Sequence, residues 1–345
     1  MKETKIFSHM VTIHDLQPAA LINYSQIYGH LIWRCHIDTT SASRRIWRFL
    51  LPYINQYSGA IFSIPEYAKA DLRIPAFEIA PSIDPHTEKN KIRDRKECLK
   101  ILENILNESN IDPNRPIVLA VSRYDIHKNQ KSIIQSFQVL KKKLSKNIKP
   151  ILIIMGNSAS DDPEGMKMFD DIRDFANGDK DIYFLLNVKN NDQIVGSLMA
   201  IADCFVHIST KEGFGLVVTE ALWQGTPVIG SRIGGIPKQV IDQQTGFIVE
   251  PKEHEKIAQH MQKILEDKNL RDTLSQNGRE HVSRNFLLPR MVAKKLSLMR
   301  YYLGIDEQYP HFRINELTYN EIRYLLYNRN HQPISKDELR KRIFL

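Results

Sequence analysis

Between Pro116 and Val249 short apolar runs alternate with longer amphipathic segments, the arrangement expected of a parallel sheet with crossover helices. The runs at 117–121, 151–155, 182–186, 204–208, 227–229 and 247–249 predict strands, and the segments 131–144, 164–177, 192–200 and 216–224 predict the helices between them. Upstream, 6–13, 31–36 and 60–64 also predict strands, with helices near 19–26 and 44–56. Beyond Val249 the pattern becomes purely helical: 253–266, 270–286, 289–303, then a weaker pair at 315–327 and 336–344.

This pattern predicts an α/β protein with one complete Rossmann-like domain over 113–286 and a partial N-terminal Rossmann-like domain over 1–112. A helical C-terminal segment follows over 287–345. Two or three upstream strands are too few for a second complete domain of that kind. Residues 81–85, the helix 94–107 and the turn-rich Asp112-Pro113-Asn114-Arg115-Pro116 read as the link, with the boundary near Pro113. The length of 345 residues suits two domains of roughly 150 residues each.

Composition narrows the class. With 42% hydrophobic and 26% charged residues, 15 Gly, 16 Pro and three Cys, the chain is neither collagen-like, disordered nor a disulfide scaffold. No run approaches the ~18 apolar residues of a membrane span. Residues 1–16 mix charged and apolar positions where a secretory signal needs a continuous apolar core, so a cytoplasmic protein with reduced thiols is expected. The net charge of +8 is concentrated at 128–149 and 279–300. Ile133, Phe137, Leu140 and Leu144 keep helical spacing around Lys141-Lys142-Lys143, which puts those lysines largely on a solvated face. Zinc-finger spacing and RNA-binding aromatic signatures are absent, so nucleic acid is not the expected partner.

Seven of the 15 glycines lie between Gly213 and Gly246, where strands give way to helices. The central segment is Lys211-Glu212-Gly213-Phe214-Gly215-Leu216-Val217-Val218-Thr219-Glu220. Glycines at a helix start let the backbone approach a ligand, and the free N–H groups of the first turn favour a phosphate. Glu212 before the glycines can accept hydrogen bonds from sugar hydroxyls, and Glu220, further along the helix, suits vicinal hydroxyls such as those of a ribose. A lone Gly-x-Gly is equally a strand-to-helix turn. Its context adds weight: Ser122-Arg123-Tyr124-Asp125-Ile126-His127-Lys128 follows the first strand of the same sheet, where two cations and a helix N-terminus can meet on a diphosphate. The loop 230–237, with Gly234-Gly235, is expected alongside.

Glu212 and Glu220, separated by seven residues around Gly-Phe-Gly, resemble the E-x7-E signature of the retaining family 4 glycosyltransferases of the GT-B fold. Ser-Arg-x-Asp-x-x-Lys and Gly-Gly-Ile-Pro match that family too. The segments Thr12-Ile13-His14-Asp15-Leu16-Gln17-Pro18, Trp33-Arg34-Cys35-His36-Ile37-Asp38, Pro65-Glu66-Tyr67, Pro81-Ser82-Ile83-Asp84-Pro85 and Asp161-Asp162-Pro163-Glu164-Gly165 are similar to the trehalose synthases and retaining trehalose phosphorylases within it. The resemblance covers roughly residues 10–300. Its match begins near the fourth strand of the family's first domain, which leads to the expectation that the earlier strands and their glycine-rich loop are lacking.

The resemblance implies roles residue by residue. Arg123 and Lys128 would hold the donor phosphates, with backbone amides near Leu216 and Val217. Glu212 and the amides of Phe214 and Gly215, next to Gly213, would hold the donor glucose, and Glu220 the ribose. His36 would reach the donor sugar beside the reacting carbon, while His14, Asp15, Gln17, Arg34 and Asp38 would shape the acceptor pocket. Trp33 reads as core, and a cap for the following helix is an alternative role for His14. Adjacent strand residues point to opposite faces, which argues against a Cys35-His36 nucleophile pair. The retaining scheme that the resemblance implies requires no metal, and Asp179-Lys180-Asp181 reads as a solvated turn. Lys238, where the family commonly has glutamate, puts a cation beside the phosphate site.

The implied activity is retaining transfer of glucose from an NDP-glucose to glucose, giving trehalose without a metal or other cofactor. Glucose 1-phosphate as donor, in the phosphorylase direction, is the nearest alternative. A second reading is a truncated or degenerate member that binds a nucleotide or sugar phosphate without turnover. The resemblance leaves the oligomeric state open, a homodimer being among those it allows.

Overall fold

The computed structural model describes residues 6–24, 27–157 and 163–304. The helices expected at 315–327 and 336–344, Gln26 and the Asp161-Asp162 pair lie outside them. The chain divides into two compact units, Met1–Ser82 with Asn285–Leu345, and Ile83–Arg284.

The first unit is built on four parallel strands in the order β1-β2-β3-β4: Ile6–His14, Ile27–Arg34, Gly59–Phe62 and Ala76–Glu78. The fourth strand is one more than the pattern predicts at its upper count. It has three residues and only Phe77 is buried, too short for alternation to register. The helix expected near 19–26 is a 3-10 turn, Ala19–Asn23, because Pro18 precedes it and only Ala19 is buried. Helix α1, Arg44–Ile54, buries Trp47, Leu50 and Ile54 at helical spacing. The last described helix, α10 (Leu288–Tyr302), returns to this sheet and sets Leu298 against Ile32, Ile61, Phe77 and Ile79.

The second unit holds six parallel strands in the order β10-β9-β8-β5-β6-β7. They are β5 Ile117–Val121, β6 Ile151–Gly156, β7 Ile182–Leu186, β8 Cys204–His207, β9 Val228–Ser231 and β10 Gly246–Val249. Strands β6, β8, β9 and β10 are buried at every position, as parallel sheets covered on both faces require. Helices α3 (Gln130–Lys143), α4 (Pro163–Phe175), α5 (Asn191–Ile201), α6 (Leu216–Gln224) and the short α7 (Ile236–Gln239) link successive strands. Helices α8 (His254–Glu266) and α9 (Lys268–Asn285) follow β10.

Helix α2, Arg95–Glu108, starts at Asp94, whose carboxylate accepts the N–H of Glu97 at 2.8 Å, and it packs within the second unit against α5. The segment 179–181 is not merely solvated. Lys141 is paired with Asp179 at 2.7 Å and also with Asp181, and Asp181 accepts from Arg115 at 2.6 Å. Two of the run's lysines are thus ion-paired on its exposed face, Lys141 in this network and Lys143 with Glu255. Among the described residues no helix is long and apolar enough to cross a membrane.

Candidate functional site

The order of the second sheet changes its direction of winding between β5 and β8. Open parallel sheets bind ligands beyond the carboxyl ends of their strands at such a switch point. The loops after β5 and β8 carry Arg123, Lys128 and Glu212.

Local chemistry shapes each loop. After β5, Asp125 opens a 3-10 turn over Ile126–Lys128 by accepting the N–H of His127 at 2.7 Å. Buried Gln130 donates its amide to the Arg123 carbonyl at 2.8 Å and to the Ser122 hydroxyl at 3.0 Å. Arg123 is thus anchored through its backbone while its side chain is exposed. Backbone bonds join the loops: Thr210 N–H donates to His127 at 2.8 Å, and Gly235 N–H donates to Gly213 at 3.2 Å. The Ser231 hydroxyl donates to the Ser209 carbonyl at 2.8 Å. The three glycine- and cation-bearing loops expected to lie together do so.

Glu212 is the centre of this arrangement. Lys128 Nζ lies 2.7 Å and His207 Nε2 2.8 Å from its Oε2, and Ser209 Oγ lies 3.3 Å from the same oxygen. Burial alone would push this carboxyl up, but the hydrogen bond and charge of His207 and the Lys128 ammonium outweigh it and bring the pKa down to about 2. Glu212 is therefore an ionised acceptor at neutral pH.

Two glycines make the turn possible. Gly215 has φ +81°, and a Cβ there would lie 3.2 Å from Glu212 Cγ. At Gly235 a Cβ would lie 2.5 Å from the Phe214 ring. Helix α6 begins at Gly215 with no side-chain cap, so the amides of Leu216 and Val217 sit in an uncapped first turn. Buried Gln239 donates to the Phe214 carbonyl and accepts from the Thr219 hydroxyl, fixing the start of α6. Lys238 beside it is exposed, in the last turn of α7.

Glu220, on α6, is partly buried, its side chain 12% exposed, and pairs with Lys89 at 3.3 Å. Burial raises its pKa, and the Lys89 charge works against that rise. The Lys89 backbone is bolted down by Gln224, which donates to its carbonyl at 2.8 Å.

In the first unit, His14 and His36 form a pair, Nδ1 to Nε2 at 2.8 Å. His14 thus faces His36 rather than capping the turn after it. Burial, then Lys295 and Arg34, lower the His14 pKa, and burial, then Arg34, lower that of His36. Two imidazoles sharing one hydrogen bond fit this direction, since one must present a bare nitrogen. Asp15 adopts φ +69°, its N–H donating to Arg34 at 2.8 Å and its carbonyl accepting the Trp33 indole at 2.8 Å. Trp33 is core, edge-on to Phe62 at 5.8 Å. Arg34 is 5% exposed, and its guanidinium donates to the Ile79 carbonyl at 2.7 Å and to the Phe62 carbonyl and Ser63 hydroxyl, each at 3.4 Å. Its groups are committed to the strand ends. Asp38 accepts from the Thr40 N–H at 2.8 Å and hydroxyl at 2.6 Å, and Gln17 is exposed in the turn after Leu16. Cys35 and His36 lie just past the end of β2 rather than within it, Cys35 buried and His36 exposed.

His207 and Lys89 were missed by sequence reasoning. A histidine closing an apolar strand five residues before Glu212 was the available signal for the first, whereas Lys89 lies 131 residues from its partner.

Comparison with known proteins agrees with this architecture. Residues 102–281 match the family described as group 1 glycosyl transferases, and residues 1–69 match the trehalose synthase N-terminal domain. The chain is 35% identical to the trehalose synthase of Rubrobacter xylanophilus over 86% of its own length and 70% of the relative's. It is 34% identical to that of Pyrococcus horikoshii, over 84% and 68% respectively. Among solved structures, sucrose-phosphate synthase from Thermosynechococcus elongatus superposes with a TM-score of 0.70 at 20% identity, covering 86% of this chain and 74% of that one. With one family matched over more than half its length and its trehalose synthase relatives covered by more than two thirds, the chain belongs to the group 1 glycosyl transferases of the GT-B fold, as a hexosyltransferase related to the trehalose synthases.

Proposed function

We propose that this enzyme transfers glucose, with retention of configuration, from an NDP-glucose to glucose and so makes trehalose. The convergence of Lys128 and His207 on Glu212 at the switch point between β5 and β8 carries the reading. An ionised carboxylate there accepts donor-sugar hydroxyls. Lys128 and Arg123, with the uncapped first turn of α6, offer positive potential to a diphosphate.

Those same groups would stabilise the charge that develops on the departing phosphate, the principal catalytic demand when the acceptor enters on the face the leaving group vacates. Glu220 would accept the ribose hydroxyls of the donor, which favours a nucleotide over glucose 1-phosphate. Glu212, Phe214 and Gly215 are assigned to the donor glucose, with Gly213 giving the backbone its approach. In the first unit His14, Asp15, Gln17 and Asp38 are assigned to acceptor hydroxyls and Arg34 to holding the strand ends beneath them, while the exposed ring of His36 is assigned to the reacting sugar. Three buried cysteines, all thiols, suit a reducing cytoplasm.

The test is to give the purified protein ADP-, UDP- or GDP-glucose with glucose and to follow disaccharide formation. Trehalose from at least one donor is expected. Nucleotide binding by calorimetry with no disaccharide from any donor contradicts the reading, and trehalose from glucose 1-phosphate alone would make the enzyme a phosphorylase.

A further inference from the structure

Among the buried groups beside the proposed donor site, His207 has the most specific geometry. It closes β8, is 3% exposed, and stacks on the Phe205 ring with centroids 6.5 Å apart. Its Nε2 lies 2.8 Å from Glu212 Oε2 and 3.1 Å from Ser209 Oγ. For that contact to be a hydrogen bond to a carboxylate, Nε2 must carry the proton. Burial keeps the imidazole from reaching a ligand directly, so it acts through Glu212.

Lys128 holds the same oxygen from the other loop, at 2.7 Å. A lysine on a flexible stem has one ammonium to give, and a diphosphate competes for it with a carboxylate. If donor binding draws Lys128 toward phosphate, Glu212 loses its lysine partner as its sugar arrives. His207 cannot leave, because the strand and the stacked ring fix it.

We propose that His207, supported by Ser209, is the positioning residue that keeps Glu212 aimed at the donor sugar while Lys128 is free to serve the donor phosphates. The proposal rests on the donor-site reading above. Lys128, from the loop after β5, and His207, from β8, both lower the Glu212 carboxyl. Removing one of them raises the carboxyl toward its ordinary range.

The experiment compares wild type, His207→Leu and His207→Gln, whose side-chain amide can donate in place of Nε2. Glu212 is titrated by 13C NMR of glutamate-labelled protein, and affinities for UDP-glucose and UDP are measured by calorimetry, repeated with the ADP and GDP pairs. In His207→Leu the Glu212 midpoint should rise, and UDP-glucose should bind roughly ten- to a hundredfold more weakly, the weight of a hydrogen bond to a charged group. UDP, which carries no glucose, should bind as before. His207→Gln should restore UDP-glucose binding, and it keeps the test alive if the leucine variant does not fold. An unmoved Glu212 midpoint, or equal weakening of UDP-glucose and UDP, overturns the proposal. If wild type binds no nucleotide sugar, the donor-site reading fails, and the Glu212 titration alone then decides whether His207 governs that carboxylate.

Discussion

Lys128 Nζ, from the loop after β5, and His207 Nε2, at the end of β8, meet on one oxygen of Glu212 in the loop after β8, at 2.7 and 2.8 Å. The ion pair with Lys128 fastens those loops together and holds Glu212 ionised. Replacing Lys128 with Met should raise the Glu212 carboxyl from about 2 toward its ordinary value near 4.5. The sign follows from linkage. A carboxyl depressed in the folded state adds stability that is full above its unfolded pKa and is lost as pH falls through the folded one. Wild type should therefore keep this contribution at pH 4.5 and above and lose it on the way down to about 2. In Lys128→Met the folded value lies nearer the unfolded one, so the contribution should be smaller and its loss complete at a higher pH. Urea unfolding at several acidic pH values measures this, and coincident pH profiles for the two proteins would contradict it.

Gly215 stands at φ +81° with its missing Cβ 3.2 Å from Glu212. Gly215→Ala should cost about 1–2 kcal/mol from the left-handed backbone alone. It should also shift Glu212, so donor KM should rise severalfold. Chemical denaturation and initial-rate kinetics read the two effects separately. An unchanged KM would show that the turn does not position Glu212.

Arg34 predicts the opposite balance, since its guanidinium is buried under the ends of β2, β3 and β4. Arg34→Met leaves the Ile79 carbonyl without its guanidinium donor, while the Phe62 carbonyl keeps the Ile79 N–H, and should destabilise the fold by about 1–3 kcal/mol. Arg34→Lys should recover only part of this, because one ammonium cannot reproduce a planar fork. The midpoint of urea unfolding is the readout. Full stability with lost activity would assign Arg34 to substrate instead.

Lys89 and Glu220 supply a prediction about the nucleoside. Lys89→Met removes the cation 3.3 Å from a partly buried carboxylate whose pKa is already raised by desolvation. Glu220 should then protonate at still higher pH. On acidification, preference for a ribose over a 2′-deoxyribose donor should be lost at a higher pH in the variant than in wild type. Paired affinities for UDP and 2′-deoxy-UDP across pH measure it, and an unchanged ratio would take Glu220 away from the ribose.

What was legible in the sequence follows from how far apart the cooperating residues are. Strands β5 to β8 show as apolar runs because both faces of that sheet are covered, and Glu212, Gly213, Gly215 and Glu220 lie within nine consecutive residues, so spacing exposes them. Arg123 and Lys128 needed one inference, that loops at the same end of a parallel sheet converge. The fold could not announce Lys89, whose partner is 131 residues away, because packing of its segment against α5 and α6 sets the contact. His207 hid inside a strand pattern, where a buried polar residue looks like an interruption. Strand β4 is too short to carry a period, and a 3-10 turn at 19–23 differs from a helix only in having too few apolar positions to cover one.

The most direct test of retaining transfer is 13C NMR of the product formed from donor labelled at the glucose anomeric carbon and unlabelled glucose. The account predicts a single labelled α anomeric signal of α,α-linked trehalose appearing as the donor signal falls. A β-linked product, or free labelled glucose with no disaccharide, would contradict it.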